Sequence, residues 1–131
     1  MSELGLVLCI EDDPEIQALV KFSLEATRAF AVLICNNTHA AFNLAATCSF
    51  DLILLEARMP GIDGLLVYKI LRSMQQTART PVIFLSNRVQ TSEVERYKQM
   101  GILEVIFKPF DPLALPQVIK NILDKASPQH Y

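Results

Sequence analysis

Leu6-Val7-Leu8-Cys9-Ile10-Glu11-Asp12-Asp13-Pro14 decides how the rest of the sequence is read. Five apolar residues in a row, with no polar alternation, suit a strand buried on both faces of a sheet. Three carboxylates end the run. Pro14 suits the first turn of a helix, where no backbone N–H is needed. Ile16, Leu19, Val20 and Leu24 follow at helical spacing, which predicts an amphipathic helix over Pro14–Thr27.

The same alternation continues to the end of the chain. Phe30–Cys35 is a second apolar strand, and Asn36-Asn37-Thr38 supplies a turn and a helix N-cap. His39–Cys48 is an alanine-rich helix, and Asp51–Leu55 a third strand. The segment Arg58-Met59-Pro60-Gly61-Ile62-Asp63-Gly64 is loop chemistry, dense in glycine and proline. Leu66, Val67, Ile70, Leu71 and Met74 mark a third helix and Pro81–Leu85 a fourth strand. A fourth helix is capped by Thr91 or Ser92 and closed by Met100-Gly101. Leu103–Phe107 is a fifth strand. A fifth helix starts at Asp111-Pro112, with Leu115, Val118, Ile119, Ile122 and Leu123 on one face. Alternating strands and helices predict a doubly wound α/β fold, a parallel sheet covered by helices on both faces. Residues 1–126 form one domain, and 127–131 read as a frayed tail.

Composition narrows the function. A chain of 131 residues, 51% hydrophobic and 20% charged, holds one packed domain and is not disordered. A formal net charge of −2 without a basic stripe argues against a nucleic-acid surface. The longest apolar stretch, Leu4–Ile10, is far short of the ~20 residues of a membrane helix. Met1-Ser2-Glu3 lacks the basic start of a secretory signal, so the expected address is the cytoplasm. Cys9, Cys35 and Cys48 have no C-x-x-C spacing and read as structural thiols. His39 and His130 read as solvated. No Ser-His-Asp or Cys-His arrangement is visible, so no enzyme is expected.

A parallel sheet presents its functional loops at the carboxyl ends of its strands. Those positions are Glu11, Asp12 and Asp13 after the first strand and Glu56 after the third. Ser86 and Asn87 follow the fourth, and Lys108 and Pro109 the fifth. Carboxylates this close raise one another's pKa unless a cation intervenes, either a hard divalent ion or the lysine. A hydroxyl and a lysine beside a carboxylate suit the oxygens of a phosphoryl group.

These segments resemble the receiver domain of bacterial two-component response regulators. The likeness rests on Val7–Pro14, on Asp51–Glu56 with Met59–Gly64, on Pro81–Ser86 and on Lys108-Pro109-Phe110, in matching order and spacing. It implies a flavodoxin-like (βα)5 fold with strand order 2-1-3-4-5. It also implies that Glu11 and Asp12 match an acidic pair that binds Mg²⁺, while Asp13 serves as a helix cap or surface residue. Glu56 then stands at the position of the phosphoacceptor aspartate, and Ser86 and Lys108 match the hydroxyl and lysine that contact the phosphoryl group. The partners implied are a histidine kinase, a phosphotransfer protein or an output protein. The contact face implied is that of the fourth helix, fifth strand and fifth helix. The chain reads as a single-domain regulator or as a receiver cut from a longer protein.

Four positions depart from the family pattern. Glu56 is longer than aspartate by one methylene, about 1.5 Å. A misplacement of ~1 Å can cost about a hundredfold in an in-line reaction. Val105 replaces an aromatic switch residue, Asn87 replaces a small residue at the phosphoryl entrance, and Arg58 brings a guanidinium to the rim. The reading is a pseudo-receiver that binds a protein partner without phosphoryl transfer. Glu56 is then either an inert rim carboxylate paired with Lys108 or Arg58, or a partial mimic of the phosphorylated state that pairs with Lys108. The alternatives are a flavodoxin-like domain holding a flavin or nucleotide, disfavoured by the missing glycine-rich loop, and a receiver still phosphorylated on Glu56.

Overall fold

The computed structural model describes residues 5–126 of the 131. Its elements are β1 (Gly5–Ile10), α1 (Pro14–Ala26), β2 (Phe30–Cys35), α2 (Thr38–Thr47), β3 (Leu52–Glu56), β4 (Arg58–Met59), β5 (Ile62–Asp63), α3 (Gly64–Ser73), β6 (Val82–Ser86), α4 (Thr91–Gln99), β7 (Glu104–Phe107) and α5 (Leu115–Ala126). The main sheet is wholly parallel in the order β2-β1-β3-β6-β7. With the small β4–β5 hairpin set aside, that is the expected 2-1-3-4-5.

Period-two alternation in the central strands divides the core into two layers. Leu8, Ile10, Ile53, Leu55 and Phe84 pack against α2, α3 and α4 through Ala41, Ala45, Leu71 and Tyr97. Val7, Cys9, Leu52, Leu54, Ile83 and Leu85 pack against α1 and α5 through Val20, Leu24, Leu115 and Ile119. Every residue of β3 and β6 is buried, as an uninterrupted apolar strand requires. Strand order reverses between β1 and β3, so the carboxyl ends of those strands open the crevice where such folds place their sites.

Caps set the helix starts. The Asp13 carboxylate caps α1 by accepting the Glu15 N–H at 2.9 Å, and Asn37 caps α2 by accepting the Ala40 N–H at 2.8 Å. Two expectations are corrected. Helix α4 is not capped by Thr91 or Ser92: Gln90 holds the cap position, without a side-chain bond. Helix α5 begins at Leu115 rather than at Asp111, because the Asp111 carboxylate accepts the Leu113 N–H and its carbonyl takes those of Ala114 and Leu115, closing a turn first. The segment 58–64, expected as pure loop, contains the antiparallel β4–β5 hairpin. Two-residue strands are too short to leave a period in the sequence.

Cys9, Cys35 and Cys48 are free thiols, and His39 is exposed. His130 and the tail lie outside the described residues. Among the described residues no helix is long and apolar enough to cross a membrane.

Candidate functional site

Four of the five parallel strands, β1, β3, β6 and β7, bring Glu11, Glu56, Ser86 and Lys108 to one rim at their carboxyl ends. A cleft of 490 Å³ there is lined by Glu11, Asp12, Glu56, Arg58, Asn87 and Lys108. Glu11 is fully buried, Glu56 is 5% exposed and Ser86 is 4% exposed. Asp12 is exposed.

Lys108 reaches the rim from the end of β7 and organises it. Its ammonium lies 2.8 Å from Glu11 Oε1 and hydrogen-bonds to Glu56 Oε1. The other oxygens are engaged by backbone: Glu11 Oε2 accepts the Asp13 N–H at 3.0 Å, and Glu56 Oε2 accepts the Arg58 N–H at 2.8 Å. Outside its ion pair, Glu11 Oε1 has no hydrogen-bond partner. Burial, above all, raises the Glu11 carboxyl from its ordinary value, while Lys108 and the Asp13 amide act against that rise. Burial also works against the charged Lys108, yet its contacts with Glu11 and then Glu56 outweigh it and hold the lysine above its ordinary value. One ammonium between two carboxylates keeps its proton.

The other expected residues are placed as follows. The Ser86 hydroxyl does not turn to Glu56; it donates to the Asn87 carbonyl at 2.8 Å. Asn87 is exposed at the mouth of the cleft. Val105 is buried and pairs in register with Phe84. Pro109 is exposed beyond a cis peptide bond. The Arg58 guanidinium leaves the rim and approaches Glu93 of α4 at 3.8 Å, so only its backbone N–H serves Glu56.

Sequence reading missed Glu93 and Tyr97. They join Arg58 and Arg96 around a 550 Å³ cavity between the hairpin and α4, and the Tyr97 hydroxyl donates to Glu93 at 3.3 Å. No spacing within the chain signals a contact made across two separate elements.

The rim as arranged does not fit a bound Mg²⁺. That ion demands an octahedral oxygen set, and the oxygens of Glu11 and Glu56 are committed to Lys108 and to backbone amides. Among the described residues no three His, Cys, Asp or Glu side chains gather as a metal site.

The model of the response regulator receiver domain matches residues 7–120, and the chain belongs to that family of two-component signalling domains. It is 34% identical over 121 residues to the probable transcriptional regulator ycf29 of Porphyra purpurea, covering 92% of this chain and 57% of that protein. It is 28% identical over 125 residues to the transcriptional regulatory protein ResD of Bacillus subtilis, covering 95% and 50%. The chain thus spans about half the length of these curated relatives. Its fold is similar to the chemotaxis response regulator CheY4 of Vibrio cholerae, with TM-score 0.84 and 24% identity over 92% of this chain and all of that one. It is also similar to the receiver domain of sensor histidine kinase PA1611 of Pseudomonas aeruginosa, which has a magnesium ion coordinated in its active site cleft. That match has TM-score 0.79 and 23% identity over 93% and 99% of the chains.

Proposed function

We propose that this chain is a cytoplasmic pseudo-receiver that signals through protein–protein contact, with the phosphoryl cycle replaced by a fixed ion-pair cluster. One observation carries the reading: both carboxylate oxygens of Glu56 are engaged, one by Lys108 and the other by the Arg58 amide, in a side chain 5% exposed. A nucleophile so held, and displaced by one methylene, is badly placed for in-line attack. Glu56 meets only half of what a mimic of the phosphorylated state needs. It engages Lys108, but the Ser86 hydroxyl stays on the Asn87 carbonyl. Val105 has no ring with which to report that hydroxyl's position. Glu11 and Asp12 are the residues Mg²⁺ would contact if it displaced the Lys108 ammonium.

The partner is a protein: a histidine kinase, a phosphotransfer protein or an output protein. A groove of 430 Å³ lined by Leu103, Val118 and Ile122 on the β7–α5 side supports docking on the expected face. Phe22, 67% exposed on α1, and Leu113, 86% exposed ahead of α5, are further exposed apolar side chains. The Ser23 hydroxyl, bonded to the Pro112 carbonyl, holds those two segments together.

Incubation with a small-molecule phosphodonor and Mg²⁺, read by intact mass, tests the reading. The expected mass is unchanged. A stoichiometric gain of one phosphoryl group that Glu56→Gln abolishes would restore the phosphorylated-receiver alternative.

A further inference from the structure

The two edges of the sheet are protected differently. An open edge strand offers a row of backbone groups to any second strand, and charges or coverings normally blunt it. Strand β7 is four residues long and carries Glu104, paired with Lys98 at 3.0 Å. Strand β2 at the other edge has six residues, Phe30-Ala31-Val32-Leu33-Ile34-Cys35, without a charge or a proline. Helix α2 beside it, Thr38–Thr47, has no Asp, Glu, Lys or Arg either.

Strand parity shows which β2 groups face outward. The carbonyls of Ala29 and Cys35 bond to Gly5 and Glu11 on the β1 side. In a parallel pair the N–H and C=O of one residue point the same way and alternate along the strand. Positions 31 and 33 therefore also face β1, while Phe30, Val32 and Ile34 face outward. At Val32, in the middle of the strand, two α1 side chains take the place of a neighbouring strand. The Glu25 carboxylate accepts the Val32 N–H at 2.9 Å, and the Lys21 ammonium donates to the Val32 carbonyl at 3.0 Å. Lys21 and Glu25 also bond to each other at 3.0 Å, which closes the ring.

We infer that the Lys21–Glu25 pair is an edge guard that keeps a second copy of this chain from pairing with β2. The occupant it excludes is the β2 of that copy, in a two-fold antiparallel arrangement. Six charge-free residues, with Phe30, Val32 and Ile34 of high β-propensity, match themselves in that register without like-charge opposition. Leu33, 37% exposed on the other face of the strand, would add apolar contact to the joint. The guard supplies to β2 what Glu104 supplies to β7, a charge fixed at the open edge. Its two ligands sit one helical turn apart, so one face of α1 delivers both to a single residue.

Removing both guard side chains tests the inference. The Lys21→Ala/Glu25→Ala variant, folded by circular dichroism, is expected to double in mass by size-exclusion chromatography with light scattering, at concentrations where the parent chain is a monomer. Adding Leu33→Lys, which puts a charge into the strand itself, is expected to return it to monomer. A folded double variant that stays monomeric overturns the inference, as does association that Leu33→Lys leaves unchanged. Native-state hydrogen exchange on the unaltered chain keeps the test alive if the variant does not fold. The Val32 amide is expected to be protected to the level of Leu33, whose amide faces β1. Exchange at the rate of a free amide would remove the guard.

Discussion

Lys108 and Lys21 each hold a glutamate, and they do so under opposite physical conditions. Lys108 is 12% exposed and faces two carboxylates that are almost fully buried. Lys21 is 50% exposed and faces one carboxylate and one carbonyl, both matched within a closed ring. The rim cluster carries one negative charge too many and leaves Glu11 Oε1 with no hydrogen bond beyond its ion pair. Burial raises Glu11, whereas a backbone N–H foremost lowers Glu25. Buried polar groups that are only partly satisfied are costly. The cost falls on the rim, while the Lys21–Glu25 ring at the sheet edge has its groups matched.

The largest expected effect breaks the rim. Lys108→Met removes the ammonium from between two buried carboxylates, and a loss of about 3 kcal/mol in urea unfolding is expected. A loss below ~1 kcal/mol would put the cluster in the class of solvated surface pairs. Glu56→Gln alone leaves a balanced Lys108–Glu11 pair and should cost less. In the Lys108→Met background, Glu56→Gln removes one of two like charges, so the double variant should lose clearly less than the sum of the single losses. Additive losses would show that Glu56 and Lys108 are not energetically coupled, and that no fixed ion-pair cluster stands in for the phosphoryl cycle.

The corresponding change at the edge should barely register in stability. Lys21→Met is expected to cost under ~1 kcal/mol in the same measurement, because both partners are substantially exposed. Were it to match Lys108→Met, exposure would not be what separates the two clusters.

Much of this was legible in the sequence because the fold is written in periodicities. Apolar runs gave the five long strands, and the residues after them gave the rim. Of the two partners expected for Glu56, Lys108 and Arg58, the strand order implied by the family resemblance favours Lys108, since β3 and β7 flank β6. Rotamer choices were not legible. Nothing local says that Ser86 turns to the Asn87 carbonyl, or that the Arg58 guanidinium goes to Glu93 while its backbone serves Glu56. The hairpin at 58–63 was hidden by brevity. Lys21 and Glu25 stand at a recognisable i,i+4 spacing, but an exposed pair on a helix is the commonest solvated arrangement. Only the fold reveals that Val32 lies beneath it.

The smallest effect is a difference in pH dependence. The Val32 amide first, then Lys21, hold the Glu25 carboxyl below its ordinary value of 4.5. In the unfolded chain that carboxyl regains the ordinary value, so in the acid range the unfolded state binds more protons than the folded one. Stability then rises with pH through that range. The contribution of Glu25 is complete above 4.5 and is lost as pH falls through the lower folded value. Glu11 has the opposite slope, because burial raises its folded value and the unfolded state releases its proton first. Thermal unfolding of the parent and Glu25→Gln should therefore differ by a constant amount near neutrality and converge in acid, where Glu25 is protonated and resembles glutamine. The same comparison with Glu11→Gln should move in the variant's favour as pH rises above 4.5. If the Glu25→Gln difference persists unchanged in acid, the carboxylate's charge contributes nothing at Val32. The difference would then come from the shape and hydrogen-bonding of the side chain rather than from its charge.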